Sequence, residues 1–124
     1  MVFHVEHSYI SSWQRYHQAL KQRNILLRET RSGDDGAWTS ELAAVGEQVH
    51  QARERVTALL SNELSEVLAS MGVEFRGMSL VLRSGWAAGE SLTSALKASA
   101  QSDGQRGFTQ VGPHRADLQC LLGS

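Results

Sequence analysis

The sequence predicts a mainly α-helical fold with a small antiparallel β part, that is, an α+β class. Two stretches of helical periodicity occupy most of residues 1–72, a turn-forming run separates them, and short alternating segments follow. A chain of 124 residues has room for one hydrophobic core. We therefore expect a single domain overall, in which residues 1–72 form a long, antiparallel, coiled-coil-like arm of two helices. Residues 73–124 are expected to form a strand–helix–strand segment, with two or three short strands.

The first helix is predicted from Ser8 to about Arg28, because bulky apolar residues recur there at helical spacing. These residues are Ile10, Trp13, Tyr16, Leu20 and Leu27. The Ser8 hydroxyl is a candidate N-cap. Residues 31–36 (Arg-Ser-Gly-Asp-Asp-Gly) combine two glycines with short polar side chains and predict the turn to the second helix.

The second helix has the most regular pattern in the chain, and we expect it to be continuous over residues 38–71. Its apolar residues follow at alternating steps of four and three, which is heptad spacing, and the stripe shifts in phase after Leu59. The stripe consists of Trp38, Leu42, Val45, Val49, Ala52, Val56 and Leu59, then Leu60, Leu64, Val67 and Met71. Gly46 costs this helix about 1 kcal/mol relative to alanine. A helix of this length is roughly 50 Å long, so the arm should project. Since the first helix is shorter, part of the second needs cover from the strands or another copy.

The second segment is expected to begin after a helix end at Gly72. Alternation predicts a strand over residues 78–83, with the irregularity at Gly77 typical of a bulge or turn. Residues 91–99 predict a short helix, and the polar, glycine-containing residues 101–107 predict a flexible stretch. Extended chain is predicted at Phe108, at Gln110 and over residues 116–122. Gly112-Pro113 should interrupt it, because proline cannot donate to a strand ladder.

Charge limits the classes of partner. Twelve Lys and Arg against thirteen Asp and Glu give a net charge of −1, so the chain has no overall basic field for nucleic acid or an anionic membrane. No apolar run has the length of a membrane span and no signal-peptide pattern is present, which favours the cytoplasm. Residues 1–31 carry five basic and two acidic residues, whereas residues 32–71 carry two basic and seven acidic ones.

This asymmetry allows two interpretations. The basic first helix packs against the acidic second one, with Arg23 and Arg28 paired to glutamates, or it presents its cations to DNA or a partner. The candidates for the second role are Lys21, Arg23, Arg28 and Arg31.

Catalytic and metal-binding patterns are weak. His4 and His7 have helical spacing but no identifiable third ligand, so we expect no metal site. Cys120 has His114 and Asp117 nearby in sequence, which suggests a nucleophile. However, residues 117 and 120 of a strand face opposite sides, so a buried, inert cysteine is the favoured interpretation. Neither common nucleotide-binding glycine motif is present, so the chain should not bind ATP through such a loop.

Residues 112–118 (Gly-Pro-His-Arg-Ala-Asp-Leu) concentrate polar groups beside an apolar strand. The candidate residues there are Gly112, Pro113, His114, Arg115 and Asp117. The alternative is an edge strand with a bulge, in which Arg115 pairs with Asp117 on one face.

Six motifs along the chain form a recognisable set: Phe3-His4, Trp13, residues 20–24 (Leu-Lys-Gln-Arg-Asn), Glu41-Leu42, residues 83–86 (Arg-Ser-Gly-Trp) and residues 112–118. Together they resemble, in order and with similar spacing over residues 3–118, the family of the bacterial DNA replication and repair protein RecF. The resemblance implies a piece of a longer ABC-type ATPase, chiefly its arm and the strand that re-enters the ATPase core. In that family the phosphate loop precedes this region, and the signature and Walker B motifs follow it.

The resemblance also implies the function of the parent protein. ATP and Mg²⁺ would be its cofactors, with none in this chain, and it would dimerise on DNA in an ATP-dependent way. With RecO and RecR as partners, it would help to load RecA at single-strand gaps. The arm would contact DNA or a partner, and the chain itself would not be an enzyme.

A second hypothesis is a free-standing coiled-coil module for protein–protein interaction, which self-associates through surplus apolar surface. An enzyme that uses Cys120 with His114 ranks third. If residues 112–118 return to an absent ATPase core, the strand should be poorly supported, and its unpaired edge can recruit a second copy as a homodimer.

Overall fold

The computed structural model describes residues 2–31, 36–72 and 78–122, and in these ranges it contains three α-helices and two strands. The elements are α1 (Val2–Thr30), α2 (Gly36–Ser70), β1 (Met78–Arg83), α3 (Leu92–Arg106) and β2 (Asp117–Leu122), with a short 3-10 turn at Pro113–Arg115. The predicted class, mainly α with a small antiparallel β part, is confirmed. Residues 32–35 of the predicted turn and residues 73–77, which include the irregularity at Gly77, lie outside the described residues. None of the described helices is long and apolar enough to cross a membrane.

α1 and α2 form an antiparallel hairpin. Tyr9 bonds to Arg53 near one end, and Arg23 bonds to Thr39 near the other, so the helices run in opposite directions. The predicted start at Ser8 is wrong, because α1 begins at Val2 and Ser8 lies within the helix. No proline or glycine precedes Ser8, so the sequence contains no residue that would stop the helix from beginning earlier.

α2 is continuous, as predicted, but its two halves differ in burial. In the proximal half (residues 36–52), Leu42, Val45 and Val49 are completely buried. In the distal half (residues 53–70), the large apolar residues Val56, Leu59, Leu60 and Val67 are exposed, as is Met71 beyond it. Since Tyr9 lies beside Arg53 and both helices have the same rise, α1 extends only to about residue 60 of α2.

The hydrophobic core lies where α3 crosses the hairpin. Its buried members are Tyr16 and Ala19 of α1, Leu42, Ala43, Val45 and Val49 of α2, and Leu92 and Leu96 of α3. A Cβ at Gly46 would overlap the Leu92 side chain and lie 3.2 Å from the Tyr16 ring. The glycine in the middle of α2 therefore allows the close approach of α3, which accounts for a residue that weakens the helix.

α3 is longer than its predicted range of residues 91–99. Ser91 caps its start by accepting a hydrogen bond from the Ser94 amide at 3.1 Å, and Gly107 ends it in the left-handed conformation, with φ of 81°. The predicted flexible stretch over residues 101–107 is wrong, because residues 101–106 are helical and Asp103 is buried. A tertiary contact accounts for the helical state of these residues, because the buried Asp103 carboxylate binds Arg23 of α1.

The two strands form one antiparallel sheet, in which Met78 lies opposite Leu122 and Arg83 opposite Asp117. The strand predicted over residues 78–83 is confirmed. Phe108 and Gln110 belong to a loop and not to a strand. Cys120 is exposed, so its predicted burial is wrong; a sheet of two strands does not cover both of its faces.

Candidate functional site

The turn at residues 112–115 is held against α1 by backbone that only glycine can provide. Gly112 has φ of 134°, and a Cβ there would overlap the Tyr16 hydroxyl. The Gly112 amide donates to the Gly85 carbonyl at 3.1 Å, and a Cβ at Gly85 would overlap the Gly112 carbonyl. Any larger side chain at either position would move the turn off the helix.

His114 connects this turn to α1. Its Nδ1 lies 2.6 Å from the Tyr16 hydroxyl, and its Nε2 lies 3.0 Å from the Thr109 carbonyl oxygen. Burial raises the pKa of the Tyr16 phenol well above its usual range, so the hydroxyl remains protonated. Burial also lowers the pKa of His114, and the nearby Arg115 guanidinium lowers it further.

Arg53 connects the same turn to α2. Its Nη1 donates to the Pro113 carbonyl at 2.6 Å, and its Nε donates to the Tyr9 hydroxyl at 3.1 Å. The guanidinium lies over the Trp13 ring, 4.7 Å from the centroid. The turn is therefore bonded to both helices of the hairpin.

A buried polar network lies next to this turn and includes one of the predicted DNA-binding residues. Arg23, 1% exposed, donates from Nη1 to Asp103 at 2.9 Å and to Thr109 at 2.7 Å, and from Nε to Thr39 at 3.1 Å. The Asn24 side-chain oxygen accepts from the Thr109 amide at 2.8 Å. Arg23 is therefore a structural residue that no phosphate can reach in this arrangement. Its partner is Asp103 of α3, and not a glutamate of α2 as the packing interpretation predicts.

The other predicted cations are exposed. Lys21 and Arg28 lie on the surface of α1, and Arg31 donates to the Gln105 carbonyl at 3.0 Å. Gly107, at the end of α3, lies beside Arg28 and Arg31, which places the exposed Arg106 at the same corner. We call Arg28, Arg31 and Arg106 the basic corner. The sequence prediction missed Arg106, since it ended the helix at residue 99. The available signal was a glycine, Gly107, directly after a basic residue, which is typical of a helix C-terminus.

The polar residues that follow the turn face outward. Arg115 and Asp117 are exposed, and Arg115 lies over the Phe108 ring, 5.9 Å from its centroid. The structure shows no ion pair between Arg115 and Asp117, both of which it describes, so that predicted pairing is wrong. The expectation that residues 112–118 are poorly supported is also wrong, because Gly112 and Pro113 are buried and β2 pairs with β1.

An open apolar groove of about 400 Å³ lies between the distal half of α2 and the sheet. It is lined chiefly by Tyr9, Arg53, Val56, Leu60, Leu82 and Leu118. Within the part of the chain that the structure describes, no three His, Cys, Asp or Glu residues are grouped to hold a metal ion. The side chains of His4 and His7 lie outside the described residues.

The chain is similar to RecF proteins, although no protein-family model matches it. RecF of Pseudomonas syringae pv. syringae is 36% identical over 125 residues, which cover 99% of this chain and 34% of the relative. RecF of Azotobacter vinelandii is 38% identical over 123 residues, which cover 98% of this chain and 33% of the relative. The chain thus spans about a third of the length of the curated relatives it matches.

Solved structures agree. A structure of the recombination mediator protein RecF with ATP, in the RecFOR pathway, superposes with a TM-score of 0.73 at 25% identity, over 91% of this chain and 33% of that one. A second RecF structure has a TM-score of 0.74 at 24% identity and shows the shared fold. The resemblance that the motifs predicted is therefore confirmed: nearly the whole chain is similar to about a third of the length of RecF.

Proposed function

We propose that the chain is the arm segment of a RecF-type protein of DNA replication and recombinational repair. The observation that carries this proposal is the similarity to RecF over 99% of the chain. The whole protein would bind DNA in an ATP-dependent way and, with RecO and RecR, load RecA at single-strand gaps. ATP and Mg²⁺ would bind outside this segment, and the cytoplasm remains its predicted location.

Within that protein, the hairpin would be the arm, and residues 73–124 would lead back to the ATPase core. The bonds of the turn support this arrangement. Tyr16 of α1 and Arg53 of α2 both contact residues 112–114, directly before β2. A displacement of the hairpin would therefore act on the start of the strand that enters the core, which would couple DNA or partner contacts to the nucleotide site.

The basic corner, together with Lys21, is the proposed contact surface for DNA phosphates. Lys21 precedes Arg28 by two helical turns, so both lie on one side of α1. An alternative role is local, because cations at the ends of α1 and α3 also stabilise the helix dipoles. The two roles differ in their dependence on salt, since only phosphate contacts release counterions from DNA.

The test is a salt titration of binding to a duplex that carries a single-strand gap, with this chain and with a RecF-type protein that contains it. Replacing Lys21, Arg28, Arg31 and Arg106 with glutamine should weaken binding on every sequence. The slope of log affinity against log salt should flatten by about 0.9 for each phosphate that the variant no longer neutralises. The control carries glutamine at the exposed Arg15, Arg55 and Arg83 instead. Equal slopes for the two variants would refute a DNA contact at the basic corner.

The chain alone should not bind ATP, because it contains no phosphate-loop motif to surround the triphosphate. Calorimetric titration with Mg-ATP measures this directly. A micromolar affinity would contradict the placement of the nucleotide site outside this segment.

A self-associating coiled-coil module is the second candidate, and the exposed apolar residues of the distal half of α2 favour it. Sedimentation equilibrium distinguishes the candidates. A stable dimer would support the module, provided that changing Leu60 and Val67 to serine abolishes it. A monomer would support the arm segment.

A further inference from the structure

The contact between Tyr16 and His114 has a defined proton arrangement. The Thr109 carbonyl only accepts, so the Nε2 of His114 carries the proton. The Nδ1 of the neutral ring then accepts from the Tyr16 hydroxyl, 2.6 Å away. Tyr16 is completely buried, and Gly112 lies against its hydroxyl. A neutral His114 therefore satisfies both groups at once.

The surroundings of His114 disfavour a second proton. Tyr16 and His17 face it from α1, Arg53 bonds to the neighbouring Pro113 from α2, and Arg115 follows it in the chain. Two groups favour the second proton: the Thr109 carbonyl, which accepts from the ring, and Asp103 of α3, whose carboxylate is already paired with Arg23. Burial is the largest cause that lowers the pKa of His114, and the charges of Arg115 and His17 add to it.

We propose that Tyr16 and His114 form an acid-sensitive contact that holds the turn at residues 112–115 on α1, so that protonation of His114 releases the turn. On the protonated ring both nitrogens carry hydrogen. The Tyr16 hydroxyl then loses its acceptor in a buried place, and a further cation lies near Arg53 and Arg115. The released turn withdraws the Pro113 carbonyl from Arg53 and displaces the start of β2.

The sign of the pH effect follows from the lowered pKa. A released His114 binds protons with the ordinary pKa of 6.5, and the docked residue binds them only at lower pH. Docking is therefore fully stable above pH 6.5 and weakens as the pH falls from there toward the docked pKa. This response does not depend on DNA binding, so it stands or fails separately from the proposed function.

The experiment is NMR on the 124-residue chain between about pH 7.5 and about pH 5.5, on either side of the ordinary histidine pKa. Ring nitrogen shifts should show His114 as the Nε2–H tautomer, with a pKa below 6.5. The Gly112 amide donates to the Gly85 carbonyl, and the Arg115 amide donates to the Gly112 carbonyl at 2.9 Å. Hydrogen-exchange protection of these two amides, corrected for intrinsic rates, should fall with acid by up to about tenfold per pH unit.

Three variants separate the contact from general acid effects. Tyr16→Phe should raise the pKa of His114 toward 6.5 and lower the protection at neutral pH, because the neutral ring loses its donor. His114→Gln keeps an acceptor and a donor and should remove the acid response. His17→Gln changes an exposed neighbouring histidine and should retain the response.

The proposal would be overturned by any of three results. The first is a pKa of His114 at or above 6.5 in the unmodified chain. The second is a protection of the Gly112 and Arg115 amides that acid does not change. The third is an acid response that persists in His114→Gln. Since none of the three results involves Tyr16→Phe, the test holds even if that variant fails to fold.

Discussion

Both halves of α2 carry an apolar stripe at heptad spacing, which shifts in phase after Leu59, but the two halves differ in how well the stripe is covered. In the proximal half, Val45 and Val49 are completely buried between α1 and α3. In the distal half, Val67 is 49% exposed and Leu60 is 47% exposed. Heptad spacing therefore identifies which face of a helix is apolar, and the length of the neighbouring elements determines whether that face is covered.

The halves also differ in polar contacts. Beside the proximal half, Arg23 and Asp103 are paired in the interior, and Glu47 accepts from the Leu92 amide at 2.9 Å. Every one of these contacts joins elements that are distant in sequence. The proximal half should thus carry most of the stability of the chain, and the following variants test that difference from the largest effect to the smallest.

Asp103→Ala should destabilise the chain by about 3 to 5 kcal/mol, because it leaves the buried Arg23 guanidinium without its counter-charge. Urea unfolding monitored by circular dichroism measures the loss. The control is Glu41→Ala, which breaks the exposed pair with Arg15 and should cost at most about 1 kcal/mol. Equal losses would mean that the buried pair is not a principal source of stability.

Val49→Ala should cost about 2 kcal/mol, since it removes two methyl groups from a filled core. Val67→Ala should change the stability by less than about 0.5 kcal/mol, because the side chain is half exposed. If Val67→Ala costs as much as Val49→Ala, the distal face is covered in solution. Repeating the unfolding at several protein concentrations would then show whether a second copy provides the cover.

Gly46→Ala tests the closest approach of α3 to the proximal half. Overpacking against Leu92 and Tyr16 costs about 1 to 3 kcal/mol, and the better helix propensity of alanine returns about 1 kcal/mol. We expect a net loss of about 1 kcal/mol by urea unfolding. Gly36→Ala is the matched control, because a Cβ there meets nothing within 4 Å. A net gain for Gly46→Ala would show that α3 can move away without loss.

The hairpin, the continuity of α2 and the strand at residues 78–83 were predictable because each depends on local periodicity. The helical state of residues 101–106 was not, since Gly104 and the short polar residues beside it are typical of a loop. That segment is helical because Asp103 binds Arg23, a residue 80 positions earlier.

The candidate site was predictable only in part, because its contacts also come from residues that are distant in sequence. The polar density of residues 112–118 identified the turn, but its contacts come from Tyr16 and Arg53, which sequence patterns place in ordinary amphipathic helices. The basic residues of α1 look equivalent in the sequence. Only tertiary packing separates the buried Arg23 from the exposed Lys21 and Arg28.

The way α3 is bonded at both ends has a mechanical consequence. Its first amide is bound by the Glu47 carboxylate of α2, while near its other end Asp103 and the Gln105 carbonyl are bound by Arg23 of α1 and Arg31 directly after it. α3 therefore braces the two helices diagonally, and they cannot separate at the proximal half without breaking a buried ion pair. Beyond Arg53, which bonds to Tyr9 and to the Pro113 carbonyl, the distal half of α2 makes no hydrogen bond or ion pair to another element among the described residues. A force applied to the tip of the arm would bend the distal half, while the proximal half would rotate as a rigid lever together with the turn before β2.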